Sequence, residues 1–86
     1  MSNIVVQKFG GTSLADTDRF KAVAKIIKDT SKKGKKVVAV VSAMAGETQR
    51  LIDLANEVQE TPDPREYDAL ISSGEQVSVA LLAMTL

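Results

Sequence analysis

The residues able to do chemistry fall in three short stretches: "KFGGTS" from Lys8 to Ser13, "SAMAGET" from Ser42 to Thr48, and "SSGE" from Ser72 to Glu75. In the first, Gly10 and Gly11 lack a β-carbon, so their backbone N–H groups can approach an oxyanion closely, and Lys8 supplies a point charge just ahead of them. A lysine beside a glycine-rich loop ahead of a helix suits phosphoryl transfer, which runs mainly on positioning and on neutralising charge on oxygen. The second stretch offers the hydroxyls of Ser42 and Thr48, and the third a carboxylate, Glu75, able to pair with a cationic group. Each also has an ordinary reading: a strand-ending turn with a surface lysine, a strand-end hydroxyl and a helix cap, a glutamate complementing a helix N-terminus. Spacing alone leaves both sets open. The established phosphate loops GxxxxGK[ST] and GxGxxG are both absent.

Composition narrows the chemistry. The 86 residues contain no histidine and no cysteine, which excludes a Ser-His-Asp triad, a cysteine nucleophile, disulfides and the usual zinc sites. Eleven basic residues balance eleven acidic ones, so no overall field draws the chain to nucleic acid or to a membrane surface, and any anion site must be local. No export signal is visible, and a cytoplasmic setting is expected. The apolar run Val77 to Leu86 is about half as long as a membrane helix and reads as buried helix. The lysines of "KKGKK" read as a solvated turn.

The elements that must position these residues follow from periodicity. Ile4 to Phe9 and Val37 to Val41 are β-branched runs, the second without alternation, as expected of a parallel strand covered on both faces. Between them Phe20, Val23, Ala24 and Ile27 recur at helical spacing, with Asp16 or Thr17 as N-cap and Gly34 as the left-handed C-cap. A second helix is predicted over Thr48 to Glu60, with Leu51, Ile52, Leu54, Ala55 and Val58 inward. Asp63, Pro64 and Glu66 start a third, predicted to break at Ser72 to Glu75 because two serines and a glycine are poor helix formers. A βαβ unit brings the loops Gly10 to Ser13 and Ser42 to Thr48 to the same sheet edge, where open α/β folds bind ligands. The sequence stops at Leu86 within a hydrophobic helical run and reads as a fragment of a larger domain.

"KFGGTS", "VVSAMAGET" and "SSGEQVSVALLAM", in that order and over essentially the whole chain, resemble the N-terminal segment of the aspartokinases within the amino acid kinase family. The resemblance implies an α/β class, a three-layer α/β/α fold with a mostly parallel sheet, of which residues 1–86 are the N-terminal portion. It implies ATP as phosphoryl donor, with Mg2+ held through the nucleotide, and L-aspartate as acceptor, the first step toward lysine, threonine and methionine. Carried over by position, Lys8 acts in catalysis and with Phe9, Gly10 and Gly11 contacts the ATP phosphates, Phe9 through its backbone, while Ser42 belongs to the nucleotide site and lies by the phosphates or the reacting carboxylate. Thr48 contacts aspartate and Glu75 receives its α-ammonium. A homo-oligomer is implied for the full-length parent, and the segment alone is expected to be inactive. Glu47 departs from the usual pattern and adds a negative charge beside the phosphate edge. The competing reading is a non-catalytic α/β binding or assembly module, or another member of the same family.

Overall fold

In the computed structural model, which describes residues 3–86, two strands and three helices follow in the order the periodicity predicts. Strand β1 (Ile4–Phe9) leads through a 3-10 turn (Gly11–Leu14) into helix α1 (Thr17–Lys32), followed by β2 (Lys36–Val41), α2 (Glu47–Val58) and α3 (Pro64–Thr85). The strands pair in parallel, Ile4 opposite Lys36 and Phe9 opposite Val41, so both C-terminal ends lie at one edge. The class is α/β with a parallel sheet.

Local signals set most boundaries. The Asp16 carboxylate accepts from the Arg19 amide at 2.9 Å and caps α1, which ends at Lys33 with Gly34 beyond it at φ +83°. The Asp63 carboxylate accepts from the Glu66 amide at 3.2 Å, and Pro64 opens α3. Phe9, Leu14, Phe20, Val23, Ala24, Ile27 and Leu82 form the core, joining β1, the 3-10 turn, α1 and α3, with Val37, Val41, Met44 and Leu81 packed around it. Leu14 is fully buried and anchors the first loop to that core.

The run Val77 to Leu86, expected to be buried helix, buries Ser78 and Leu82 and leaves Val77, Val79, Met84 and Leu86 exposed, because only one face of α3 meets the rest of the chain. Three further expectations need correction. First, α3 runs unbroken through Ser72 to Glu75. The two serines satisfy their hydroxyls within the helix, Ser72 donating to the Ala69 carbonyl at 3.1 Å and Ser73 to that of Leu70 at 2.6 Å, while Gly74 is buried against a neighbouring segment. Packing outweighs a propensity cost of about 1 kcal/mol for the glycine.

Second, β2 is covered on one face only. Val38 and Val40 are 49% and 44% exposed and share the bare face with Ile4 and Val6, while Val5, Val37 and Val41 point toward the helices. Third, α2 buries a narrower stripe than predicted. Leu51 and Ala55 are buried, but Leu54 is exposed and Val58 is 85% exposed, because α3 meets α2 near Glu47 and Leu51 and leaves its far end uncovered. Among the described residues no helix is long and apolar enough to cross a membrane.

Candidate nucleotide and substrate site

The parallel register makes the two strand-end loops neighbours. The Ser42 amide donates to the Phe9 carbonyl at 3.2 Å, extending the ladder one step past the strands. The first loop then tightens at once: Gly10 is extended (φ −81°, ψ 176°), and the Ser13 amide donates to its carbonyl at 3.1 Å. Neither Gly10 nor Gly11 has positive φ. Gly11 is instead a site of close approach, since a β-carbon there would stand 3.3 Å from the Ala43 carbonyl oxygen. A β-carbon on Gly10 would meet nothing within 4 Å, so its backbone is open to a ligand.

The second loop ends at Gly46, whose φ of +77° is the left-handed conformation that favours glycine and turns the chain into α2. The Glu47 amide closes that turn on the Met44 carbonyl at 3.0 Å, and the Arg50 amide makes the first full helical bond to the Gly46 carbonyl at 3.0 Å. The positive end of the α2 dipole is therefore aimed at the strand edge. Thr48 sits in this first turn and is not the N-cap, which is Gly46 with no side-chain cap bond.

Helix α3 crosses beneath the second loop, with Gly74 against Ala43, Leu51 and Glu47, and so delivers Glu75 to the same place. A cleft of about 450 Å³ results, lined by Gly11, the loop from Ser42 to Gly46, Thr48, Gln49 and Glu75. Four of the seven residues singled out from sequence thus meet at one opening: Gly11, Ser42, Thr48 and Glu75. Phe9 lends its side chain to the core and its carbonyl to Ser42. Gly10 is exposed beside the cleft, and Lys8 is exposed on β1, on the bare sheet face with Ile4 and Val6 and outside the cleft lining. Hydroxyls, free helix-end amides and one carboxylate around a small opening can hold an anionic group and a cationic group side by side.

Glu47 does not leave a bare charge at this edge. Arg50 donates to it twice, through Nε at 3.0 Å and Nη2 at 2.5 Å. The hydrogen bond from Arg50 holds the Glu47 carboxyl below its ordinary range, and the same bond raises the guanidinium. Gln49 was missed by sequence reasoning; it lines the cleft and its Nε2 donates to Asp53 Oδ1 at 2.9 Å. Only its place beside Thr48 in the opening turn could have signalled it. A larger groove of about 620 Å³ beside α1 and the end of α3 is flanked by Lys21, Lys25, Lys28 and Lys32 and lacks carboxylates and glycines.

A parallel strand edge with two small-residue loops, a helix N-terminus and an opposing glutamate places the molecule among α/β proteins with a cleft at the C-terminal edge of the sheet. The sequence model of the amino acid kinase family matches residues 3–86, and the chain belongs to that family. It is 54% identical over 83 residues to an aspartokinase of Pseudomonas aeruginosa and equally so to an aspartate kinase of Stutzerimonas stutzeri, covering 96% of this chain and 20% of each relative. The crystal structure of aspartate kinase from Synechocystis superposes with a TM-score of 0.93 at 52% identity, over 96% of this chain and 14% of that one. The chain thus spans about one fifth of the length of the curated relatives it matches.

Proposed function

We propose that this chain is the N-terminal portion of an aspartate kinase catalytic domain, which transfers the γ-phosphoryl group of ATP to the side-chain carboxylate of L-aspartate. The observation that carries the reading is the meeting of Gly11, Ser42, Thr48 and Glu75 around one cleft at the C-terminal edge of the sheet. Identities above 50% to proteins named aspartokinase or aspartate kinase, over nearly the whole chain, support the choice of acceptor.

An aspartate carboxylate oxygen attacks the γ-phosphorus while the bond to the β,γ-bridging oxygen breaks, giving aspartyl phosphate and ADP. The nucleophile is already ionised at neutral pH, so no general base is needed, and a chain without histidine is no obstacle. The protein's task is to bring negative oxygens together. On this reading the Gly10 and Gly11 backbone, Lys8 and Ser42 neutralise the phosphates, Thr48 holds the acceptor and Glu75 pairs with its α-ammonium. Mg2+ would be held through the nucleotide phosphates and would neutralise part of their charge. The pairing at Glu75 would favour acceptors that carry the ammonium, through a charge-assisted contact that others cannot make. A cytoplasmic setting and a homo-oligomeric full-length enzyme belong to the same proposal.

Steady-state kinetics of the complete kinase carrying this segment test it. Glu75→Gln is expected to raise KM for aspartate by roughly tenfold or more while KM for ATP holds, the loss of one charge-assisted contact. Lys8→Ala is expected to lower kcat on the order of 10²-fold, the usual cost of removing one group that stabilises oxygen charge. If both variants keep the parent's constants, the assignment is wrong. The bare sheet face with Ile4, Val6, Val38 and Val40 favours the binding-module reading; a complete protein that lacks aspartate-dependent ATP turnover would support it.

A further inference from the structure

Four residues of the proposed ligand set have a chain neighbour that packs: Ser42 has Ala43, Thr48 has Glu47, Glu75 has Gly74, and Gly10 has Gly11, which also belongs to the set. The packing residues meet one another. Ala43 is 5% exposed and stands between two positions without a β-carbon. On one side, a β-carbon on Gly11 would lie 3.3 Å from the Ala43 carbonyl oxygen. On the other, a β-carbon on Gly74 would lie 3.2 Å from Ala43 Cβ, 3.3 Å from Leu51 Cδ1 and 3.4 Å from Glu47 Cγ. The contacts to the Ala43 carbonyl oxygen, Ala43 Cβ and Leu51 Cδ1 are tighter than ordinary van der Waals contact, and the one to Glu47 Cγ lies at its lower limit. The Leu51 and Glu47 atoms belong to flexible side chains and can swing away. Ala43 Cβ moves only with its backbone, and that backbone is in turn seated on Gly11.

We propose that Ala43 is a spacer wedged between Gly11 and Gly74, and that Gly74 is a positioning residue whose missing side chain sets the separation between the strand-end loops and the Glu75 carboxylate. The proposal rests on the aspartate kinase reading, in which these two sides hold the phosphates and the aspartate ammonium. Adding a methyl at position 74 pushes α3 off Ala43 and carries Glu75 outward by tenths of an ångström. It leaves every group assigned to ligand contact chemically intact.

In the complete kinase carrying this segment, Gly74→Ala is expected to raise KM for aspartate about fivefold, a fraction of the roughly 10²-fold that a 1 Å misplacement costs, while KM for ATP stays near the parent value. Combining Gly74→Ala with Ala43→Gly removes the opposing β-carbon and is expected to bring KM for aspartate back toward the parent. A purely helical role for position 74 would give the opposite pattern, since alanine is the better helix former and Ala43 lies outside the helix. An unchanged KM for aspartate in Gly74→Ala, or a raised one that Ala43→Gly does not relieve, overturns the proposal. Should Gly74→Ala fail to fold by circular dichroism, the double variant must recover both the fold and the aspartate KM, or the spacer role is wrong. Glu75→Gln run in parallel separates the two levels: if it leaves KM for aspartate untouched, the substrate reading falls and the spacer role with it. If it raises KM and Gly74→Ala does not, only the spacer role falls.

Discussion

Gly10 and Gly11 are adjacent and chemically identical, yet they are glycine for different reasons. Gly11 is constrained by the protein, because a β-carbon there would press on the Ala43 carbonyl oxygen at 3.3 Å. Gly10 is constrained by nothing in the chain: its backbone is extended and the space beside it is open. If that space is where phosphate approaches, Gly10→Ala should leave the melting temperature of the complete kinase unchanged and raise KM for ATP several-fold, as a methyl group holds the backbone amides away from the oxygens. A drop in melting temperature with unchanged nucleotide kinetics would assign Gly10 to folding instead. Glu47 illustrates the reverse case, a residue whose sequence position suggests interference and whose structure shows a partner. Its charge is matched by Arg50 one turn along α2, and its Cγ packs toward Gly74.

At the scale of elements, the second loop and α2 depend on one backbone conformation. Gly46 is the N-cap of α2 at φ +77°, with no side chain to cap the helix and no atom near enough to obstruct one. Gly46→Ala therefore costs only the left-handed strain, roughly 1–2 kcal/mol. Urea denaturation of the complete kinase should show that loss, and if Thr48, two residues on, holds the acceptor as proposed, aspartate kinetics should worsen with it. Helix α3 makes the complementary point. Its interior holds Ser72, Ser73 and Gly74, which would end an isolated helix, and it continues because its buried stripe of Gly74, Ser78 and Leu82 packs against the rest of the chain.

The whole molecule is more extended than a closed domain of its length. Its Cα radius of gyration is 15.5 Å, against about 12 Å for a compact 86-residue chain, and its extents are 50 × 29 × 18 Å. One layer of helices covers one face of a two-stranded sheet, and the other face exposes Ile4, Val6, Val38 and Val40. Stability thus hangs on a single small core. Phe20, 2% exposed at its centre, is the largest fully packed side chain. Phe20→Ala should cost about 3–5 kcal/mol, comparable to everything a chain of this size has to lose. Circular dichroism of the isolated 86-residue segment is expected to show largely unfolded protein for this variant at 25 °C, and a cooperative transition retained at the parent's midpoint would contradict the assignment of the core.

The sequence by itself determined what is local. Asp16, Gly34, Asp63 and Pro64 mark helix ends through their own hydrogen bonds and backbone preferences, and the spacing of Phe20, Val23, Ala24 and Ile27 fixes the buried face of α1. The βαβ order already implied that the loops at Gly10 and Ser42 share an edge. What the residues could not reveal is where one element presses on another. The unbroken α3, the bare face of β2 and the free end of α2 all follow from which surfaces meet across long sequence separations, and periodicity records only that a face is apolar. The same holds for the site. Of the residues singled out from sequence, Gly11, Ser42, Thr48 and Glu75 line one cleft and Lys8 and Gly10 do not, while Gln49 beside the cleft and Ala43 between two glycines were not legible. Their significance lies in contacts of three to four ångströms between distant parts of the chain, and only the tertiary structure decides those.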